Sequence, residues 1–315
     1  MAKNKNKKNE KVDNEKGFSK MSIVWYPGHM AKTKKQIIED LKLIDIVVEI
    51  IDARIPRSSR NPDLAQWTKN KKKIIVLNKY DLADEEENKK WTSYFKKQGM
   101  SVILTNSVNG DGINQTIKEI EKIGKEDKEA SASKGRTGKS IRVMVTGIPN
   151  VGKSSFINRI TKKTSANVGN KPGVTRQKQW IRVNEGIDLM DTPGILWPKL
   201  EPEETAINLA ITGTIKDDIL EKTEIAYYLL KYLLENKREN LIERYSLSSE
   251  EIEEILNNEN QMENENIMEV LYMIGRKRGA RVSGGQVDEE KVANLLLDEF
   301  RSGKLGKITL ESVEQ

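Results

Sequence analysis

The segment GIPNVGKS, at residues 147–154, has the residue types and the spacing of a phosphate-binding loop. It follows an apolar run and precedes a helical pattern, which is the context that such a loop requires. Its glycines allow the backbone to wrap phosphate groups with N–H donors, and the positive end of the following helix adds to the attraction. An accidental glycine turn is the alternative. The expected phosphate contacts are Gly147, Asn150, Val151, Gly152, Lys153, Ser154 and Ser155.

Hydroxyl and carboxylate side chains around this loop have the chemistry of a Mg²⁺ site. Lys153 can reach the β- and γ-phosphates, and Ser154 can bind the metal. In the DTPG motif, Asp191 can hold Mg²⁺ through water, and Gly194 can offer its N–H to the γ-phosphate. Thr175, at the end of KPGVT, is the expected second hydroxyl ligand. Because such a threonine binds only when the γ-phosphate is present, its loop can act as a switch.

The NKYD motif, which directly follows an apolar run, suits the recognition of guanine. The Asp81 carboxylate can accept hydrogen bonds from guanine N1–H and the 2-amino group, whereas adenine would leave it unpaired at a cost. Asn78 would brace the loop, and the stem of Lys79 would cover the base. A second loop, NSVNGDG, follows the next apolar run and suits a backbone N–H directed at guanine O6. The residues expected to contact guanine there are Asn106, Ser107 and Val108.

Alternating strands and helices must position these residues. Short β-branched runs alternate with helical patterns, which predicts an α/β domain with a mostly parallel sheet and helices on both faces. The composition of the polar segment 124–140 is typical of a linker or long loop. The predicted strands are 44–54, 72–81, 100–107, 141–147 and two short strands that flank the turn at 184–186. The predicted helices lie near 30–42, 61–70, 84–98, 112–124 and 152–163.

The chain of 315 residues is long enough for about two domains. Residues 1–20 are rich in lysine and lack an apolar core, so they are predicted to be a disordered basic tail and not a secretory signal. Residues 21–202 hold the nucleotide motifs. From about residue 203 the pattern becomes helical throughout, with helical spacing at 205–215, 223–245, 248–257 and 289–306. This predicts a smaller, all-α domain over 203–315, which we expect to bind RNA through its basic residues.

The composition limits the classes of partner. A net charge of +6 suggests a polyanionic partner, although a merely soluble basic protein is the alternative. The absence of cysteine excludes disulfides and thiolate metal sites, so we expect a cytoplasmic protein with no covalent partner. No apolar run approaches the roughly 20 residues that span a bilayer, so no membrane partner is expected. The basic residues that could contact RNA phosphates are Arg54, Arg57, Arg60, Arg276, Lys277, Arg278 and Arg281.

The order of the motifs is unusual, because both guanine loops precede the phosphate loop. In ordinary small GTPases the phosphate loop comes first. Circular permutation of one closed domain is the simplest account, since domain termini often lie close together. The chain also contains WYPGHMAK, DARIPRSSRNP, PGVT, DTPGILWPK and the C-terminal GKLGKITLE. With these motifs it resembles, from Met21 to its C-terminus, the circularly permuted GTPases, and within them the ribosome biogenesis GTPase A (YlqF) type.

This resemblance implies a circularly permuted P-loop GTPase domain followed by a smaller all-α domain. It implies a Mg²⁺-dependent GTPase that assists late assembly of the large ribosomal subunit and binds ribosomal RNA. Relatives with asparagine at the position of Asn150 can use K⁺ near the phosphates, and a loop-capping asparagine is the alternative. The second guanine loop departs from the family pattern, because Asn106, Ser107 and Val108 replace the more usual Ser-Ala-Lys.

His29, the single histidine of the chain, is a candidate for catalysis. Many GTPases carry a glutamine just after the DTPG motif to orient the attacking water. Here that position is Ile195, which cannot hydrogen-bond to water. His29 precedes a helix that leads to the strand beside the phosphate-loop strand, so it could approach the γ-phosphate. The alternatives are a histidine that packs on Trp25 or Tyr26, and one that belongs to a docking surface formed by WYPGHM. In the family that the chain resembles, the matching histidine is also regarded as a catalytic candidate.

The sequence therefore predicts a monomeric assembly factor that binds GTP and the precursor of the large ribosomal subunit. GTP hydrolysis is expected to be slow alone and faster on the ribosomal particle. The alternative is a GTP-gated RNA-binding module in which hydrolysis is incidental.

Overall fold

The computed structural model of the chain describes residues 30–132, 140–164, 179–197, 200–215 and 221–313. Within these ranges the strands are β1 (Ile46–Asp52), β2 (Lys72–Asn78), β3 (Ser101–Thr105), β4 (Ile141–Thr146), β5 (Gln179–Asn184) and β6 (Ile187–Asp191). The helices are α1 (Met30–Leu41), α2 (Pro62–Trp67), α3 (Glu85–Lys97), α4 (Ile113–Ala132), α5 (Lys153–Thr164), α6 (Glu203–Ile211), α7 (Lys222–Asn236), α8 (Arg238–Tyr245), α9 (Ser249–Leu256), α10 (Glu263–Arg278) and α11 (Glu289–Arg301).

The strands form one sheet in the order β3-β2-β1-β4-β6-β5. All neighbouring pairs are parallel except β5 and β6, so the predicted α/β class is confirmed. Strand β1 lies between β2 and β4, and every residue of it is buried, as expected for a central parallel strand. Strand β4, which leads into the phosphate loop, therefore comes later in the chain than β1, its neighbour in the sheet.

Helices cover both faces of the sheet, because successive residues of β1 point to opposite sides. Val48 packs in one apolar cluster with Ile120 of α4 and Ile157 of α5. Val47, the preceding residue, packs in a second cluster with Ile37 of α1. The sheet is consequently buried on both faces, and its edges and strand ends remain for polar chemistry.

Two helical predictions need correction. Helix α4 continues to Ala132, so the first part of the predicted linker at 124–140 is helical. Its last turns are polar but consist mainly of residues that favour helix, such as lysine, glutamate and alanine. The continuous helical pattern at 223–245 is divided into α7 and α8 at Lys237, whose backbone leaves the helical region. Helix α10 was not singled out from the sequence.

Helices α6 to α11 share one continuous apolar cluster with the sheet, which contains both Val145 of β4 and Leu229 of α7. The C-terminal segment then returns to the sheet domain. The Ile308 N–H donates to the Leu82 carbonyl at 3.0 Å, and the Leu310 N–H donates to the Arg54 carbonyl at 2.8 Å. The division at residues 202 and 203 stays a prediction.

Among the residues that the structure describes, no helix is long and apolar enough to cross a membrane. The predicted disordered tail at 1–20 lies outside the described residues.

Candidate nucleotide-binding site

The phosphate loop connects β4 to the first turn of α5, and its shape requires glycine at two positions. Gly147 has a φ of 156°, and a Cβ there would lie 2.5 Å from the carbonyl oxygen of Ile50. Gly152 has a φ of 96°, and a Cβ there would lie 2.2 Å from Nδ2 of Asn78. The side chain of Val151 is fully buried and fixes the loop from below. The backbone is thus held close to its neighbours, which suits a loop that cradles phosphates.

Charged and hydroxyl side chains gather at the end of this loop. Nζ of Lys153 lies 3.6 Å from Oδ1 of Asp191, which is the last residue of β6. Burial lowers the pKa of the Lys153 ammonium, and the nearby Asp191 carboxylate opposes that shift. Ser154 and Ser155 are exposed in the first turn of α5. A polyphosphate with a bound cation would complement this partly desolvated set of groups.

The DTPG segment packs directly against the phosphate loop. The Thr192 hydroxyl donates to the Val145 carbonyl at 2.9 Å. A Cβ at Gly194 would lie 2.9 Å from the backbone nitrogen of Pro149, so only glycine permits this approach. The next residue, Ile195, is buried in the cluster that contains Ile37 of α1. The segment that leaves the nucleotide site is therefore anchored between the phosphate loop and α1.

One buried side chain, Asn78, joins both guanine loops to the phosphate loop. Its Nδ2 donates to the Val151 carbonyl at 2.7 Å. Its Oδ1 accepts hydrogen bonds from the N–H of Ser107 at 3.0 Å and from the hydroxyl of Ser107 at 2.8 Å. This contact shows how Asn78 braces the loops and explains why the order of the motifs along the chain does not matter.

The carboxylate of Asp81 has an open hydrogen-bonding position. Its Oδ1 is buried and has no hydrogen-bond partner among the described residues. Such an atom is costly unless a donor reaches it, and guanine N1–H or the 2-amino group would supply one. In the second loop, Oδ1 of Asn106 accepts from the N–H of Val108 at 2.8 Å, while the Val108 side chain is 76% exposed. Asn106 therefore braces its own loop, and Val108 lies on the rim.

Asp52, at the end of β1, is a site residue that the sequence prediction missed. Its fully buried carboxylate accepts from the Arg54 guanidinium at 3.0 and 2.8 Å and from Nζ of Lys79 at 2.8 Å. Burial alone would raise the pKa of this carboxyl, but Arg54 and Lys79 outweigh burial and hold the pKa far below its ordinary value. Lys79 also donates to the Asn150 carbonyl at 3.0 Å. The signal in the sequence that could have identified Asp52 is an acidic residue at the end of an apolar strand, beside the strand that leads into NKYD.

Arg54 was predicted to contact RNA, and the structure corrects this. Its side chain is 2% exposed, paired with Asp52, and stacked over the Phe300 ring at 5.4 Å. Arg60 is mostly buried too, because it pairs with Glu49 at 3.0 Å. An apolar environment with a carboxylate partner competes with any phosphate contact. The remaining candidates are exposed, namely Arg57, Arg276, Lys277, Arg278 and Arg281.

Asn150 links the phosphate loop to the helical region. It adopts the left-handed conformation with a φ of 59°. Its Nδ2 donates to the carbonyl oxygens of Gly213 at 3.0 Å and Thr214 at 3.2 Å, just after α6. The contact was not visible in the sequence. His29 and Thr175 lie outside the described residues, so their predicted roles stay predictions.

Comparison with known proteins agrees with this geometry. The model described as RsgA GTPase matches residues 31–201, and the model described as 50S ribosome-binding GTPase matches residues 142–272. Ribosome biogenesis GTPase A of Bacillus cereus is 43% identical, over 94% of this chain and 95% of the relative. Mitochondrial ribosome-associated GTPase 1 of Mus musculus is 35% identical, over 91% of this chain and 89% of the relative.

Two solved structures are similar over the same length. GDP-bound TM YlqF has a TM-score of 0.63 and 28% identity, with 89% of this chain and all of that chain covered. GNP-bound YlqF from T. maritima has a TM-score of 0.60 and 28% identity, with 89% of this chain and 98% of that chain covered.

The open position on Asp81 predicts a switch of base selectivity. Asp81→Asn should weaken GTP binding by about 10- to 100-fold, because two hydrogen bonds to a charged acceptor are lost. Xanthosine triphosphate should bind better, since its 2-oxo group accepts a hydrogen bond from the new amide. Titration calorimetry with both nucleotides would measure this, with Asp63→Asn, at a half-exposed position of α2, as a control for loss of charge. Equal GTP affinity in Asp81→Asn and the parent would remove Asp81 from the guanine site.

The Asp52 cluster predicts a large effect on stability. Asp52→Asn should lower the free energy of unfolding by about 3–5 kcal/mol, because the buried Arg54 and the partly buried Lys79 lose their shared counter-ion. In the unfolded chain the carboxyl of Asp52 has a pKa of about 3.9, and in the folded protein its pKa is lower. The stabilisation from this carboxylate is therefore present above about pH 3.9 and is lost as the pH falls below that value. The parent should therefore lose stability more steeply than the variant as the solution is acidified below about pH 4.

Urea unfolding at several pH values would measure both effects. Glu86→Gln is the control, since it removes only an exposed pair with Lys89, worth less than about 1 kcal/mol. Asp52→Asn with the stability and acid dependence of the parent would contradict the assignment.

Proposed function

Because the chain belongs to the ribosome biogenesis GTPase A family, we propose that it assists assembly of the large ribosomal subunit by binding ribosomal RNA in a nucleotide-dependent way. It is a GTPase of ribosome biogenesis, with a circularly permuted P-loop domain. We further propose that it acts in the cytoplasm, as a monomer that binds the precursor of the subunit.

The residues at the sheet edge fit GTP as the substrate. The unpartnered Oδ1 of Asp81 matches the donors of guanine, and the closely held glycines at 147 and 152 leave room for phosphates next to backbone N–H groups. Mg²⁺ would be held by Ser154, Thr175 and, through water, Asp191. The ion would supply positive charge to the phosphate oxygens.

A second proposal is that K⁺ binds near the phosphates with Asn150 as a ligand. Its Nδ2 is engaged with two carbonyl oxygens, which supports the alternative of a structural asparagine. A K⁺ ion near the phosphates would have to use the amide oxygen instead, because only the oxygen can coordinate a cation. Hydrolysis in K⁺ and in Na⁺ at equal ionic strength would distinguish the two roles.

One contact carries the proposal of nucleotide-dependent RNA binding: the Asn150 side chain joins the phosphate loop to the end of α6. Arg301 of α11 contacts the same helix end, since its Nε donates to the Ile211 carbonyl at 2.9 Å. A change of the phosphate loop around GTP would therefore act on α6, and through Arg301 on α11. Arg276, Lys277, Arg278 and Arg281 lie in or just after the neighbouring α10. This supports the helical region as the part that binds RNA.

The buried position of Ile195 supports the proposal that hydrolysis is slow in the free protein. Its side chain packs with Ile37 and Leu41 of α1 and has no polar atom to offer to water. Because α1 begins at Met30, the residue before it is attached to the helix that contacts the DTPG segment. We propose that docking on the ribosomal particle brings His29 to the attacking water, and packing of His29 on its aromatic neighbours is the alternative.

The rival function is a GTP-gated RNA-binding module in which hydrolysis is incidental. Burst and steady-state GTP hydrolysis, with and without large ribosomal subunits, would distinguish the two. An assembly GTPase should release phosphate faster with subunits and leave them after hydrolysis. A module that only senses GTP should bind and leave subunits at the same rates with a non-hydrolysable analogue.

The proposed Mg²⁺ site predicts a specific loss in Ser154→Ala. Loss of an outer-shell partner of a metal site typically weakens binding by about 10- to 100-fold. Removal of a direct hydroxyl ligand should weaken Mg²⁺-dependent nucleotide binding by at least as much. Nucleotide titrations at several Mg²⁺ concentrations would measure it, with Ser93→Ala on the exposed face of α3 as control. An unchanged Mg²⁺ dependence would argue against Ser154 as a ligand.

The proposed role of His29 predicts a selective loss of stimulated hydrolysis. Docking should raise the rate of the parent by about 10³-fold, as the positioning of a catalytic group does in other GTPases. His29→Ala should keep GTP and particle binding but lose most of this stimulation. Single-turnover hydrolysis on saturating large subunits would test it, with particle affinity measured in parallel and Lys35→Ala as the control in α1. Equal stimulated rates in His29→Ala and the parent would leave His29 with a structural role.

A further inference from the structure

A cavity of about 540 Å³ lies at the edge of the sheet opposite to the nucleotide site. Its lining includes Lys72 and Lys73, which begin β2, and Ser101, which begins β3. The guanine loops follow the other ends of these two strands. A strand of this length spans about 20 Å, so the cavity is separate from the nucleotide.

The lining of this cavity is strongly basic. Five lysines and Arg60 face two glutamates, and Arg60 is already paired with Glu49. One of the glutamates, Glu119, accepts a hydrogen bond from the Ser101 hydroxyl at 2.7 Å. In the part of the chain that the structure describes, no ion pair neutralises the exposed lysines of this lining. The five lysines are Lys69, Lys71, Lys72, Lys73 and Lys122.

Two of these lysines are held in place by the backbone. Nζ of Lys71 donates to the Ile44 carbonyl at 2.7 Å, and Nζ of Lys73 donates to the Ala65 carbonyl at 3.2 Å. Each ammonium has three donors, so donors remain for a ligand. Burial lowers the pKa of the Lys73 ammonium, an effect that an anion in the cavity would oppose. The positive charge is thus positioned in advance, which reduces the entropy lost when an anion binds.

We propose that this cavity, lined by Lys69, Lys71, Lys72, Lys73 and Lys122, binds the phosphodiester backbone of RNA. The inference rests on the proposed function, and adds to it a second RNA contact, on the sheet domain and outside the helical region. The phosphate backbone is the ligand that fits, because the lining offers point charges and, among the described residues, no aromatic ring on which a base could stack. Such contacts position the RNA without reading its sequence.

The experiment is a titration of the full chain with a fluorescein-labelled 20-base-pair RNA duplex at several KCl concentrations. The test variant is Lys72→Gln with Lys122→Gln, and the charge reversal Lys72→Glu with Lys122→Glu extends the series. The control is Lys89→Gln with Lys90→Gln, which removes the same charge from exposed positions on α3. Thermal unfolding of each variant would verify that the fold is kept.

We expect the test variant to bind the duplex about 5- to 30-fold more weakly at about 0.1 M salt, with a salt slope smaller by about one unit for each lost phosphate contact. Charge reversal should weaken binding further, and the control should match the parent. Equal affinity and slope in the test and control variants would overturn the inference. A loss confined to vesicles of phosphatidylserine, with RNA affinity unchanged, would also overturn it in favour of a membrane surface.

A second variant separates this inference from the proposed function. Lys277→Gln with Arg281→Gln alters the helical region alone. Weaker RNA binding in this variant, but not in Lys72→Gln with Lys122→Gln, would reject the cavity and keep the proposed function. A parent that binds neither the duplex nor large ribosomal subunits would reject both.

Discussion

The buried carboxylate of Asp52 is the constraint on which the arrangement of the site depends. A fully buried charge is tolerable only when its counter-ions and hydrogen bonds are complete, and here Arg54 and Lys79 supply them. Each cation also fixes a second element. Lys79 holds the phosphate loop through the Asn150 carbonyl, and Arg54 lies under the Phe300 ring of α11. One acidic group at the end of β1 therefore ties the guanine loop, the phosphate loop and the helical region to the centre of the sheet.

The permuted order of the motifs follows from the same geometry. Parallel strands place all their carboxyl ends at one edge, so the loops after β1, β2, β3 and β4 meet there whatever their order along the chain. What the site needs is contact between the loops, and Asn78 provides it by bonding to both Val151 and Ser107. Circular permutation is compatible with this site because β1, the first strand in the permuted order, still pairs with both β2 and β4.

The sequence was informative wherever a property is local. The β-branched runs predicted the six strands to within a few residues, and the glycine spacing of the phosphate loop predicted a turn that only glycine can make. Contacts between distant segments could not be predicted. Arg54 was interpreted as a surface residue because neither its ion pair with Asp52 nor its stacking on Phe300 leaves a pattern in the neighbouring sequence. The bond from Asn150 to the end of α6 is of the same kind. Helix α4 was predicted too short because a polar composition was read as a linker, although those residues favour helix.

The contacts of Asn150 also set a limit on how strongly the nucleotide and the helical region can be coupled. A ligand shifts an equilibrium only by the difference in its interaction with the two states. Asn150 makes two side-chain hydrogen bonds to the end of α6, and each such bond contributes a net stability of about 1 kcal/mol. Loss of both on nucleotide binding would change the equilibrium by about 2 kcal/mol, or roughly 30-fold, which is within the usual range of allosteric coupling. Stronger coupling would require further contacts between the two regions to change, and those of the Asp52 cluster involve buried charges that resist such a change. The fold therefore favours a moderate response of the helical region to GTP, together with a sheet domain that stays intact.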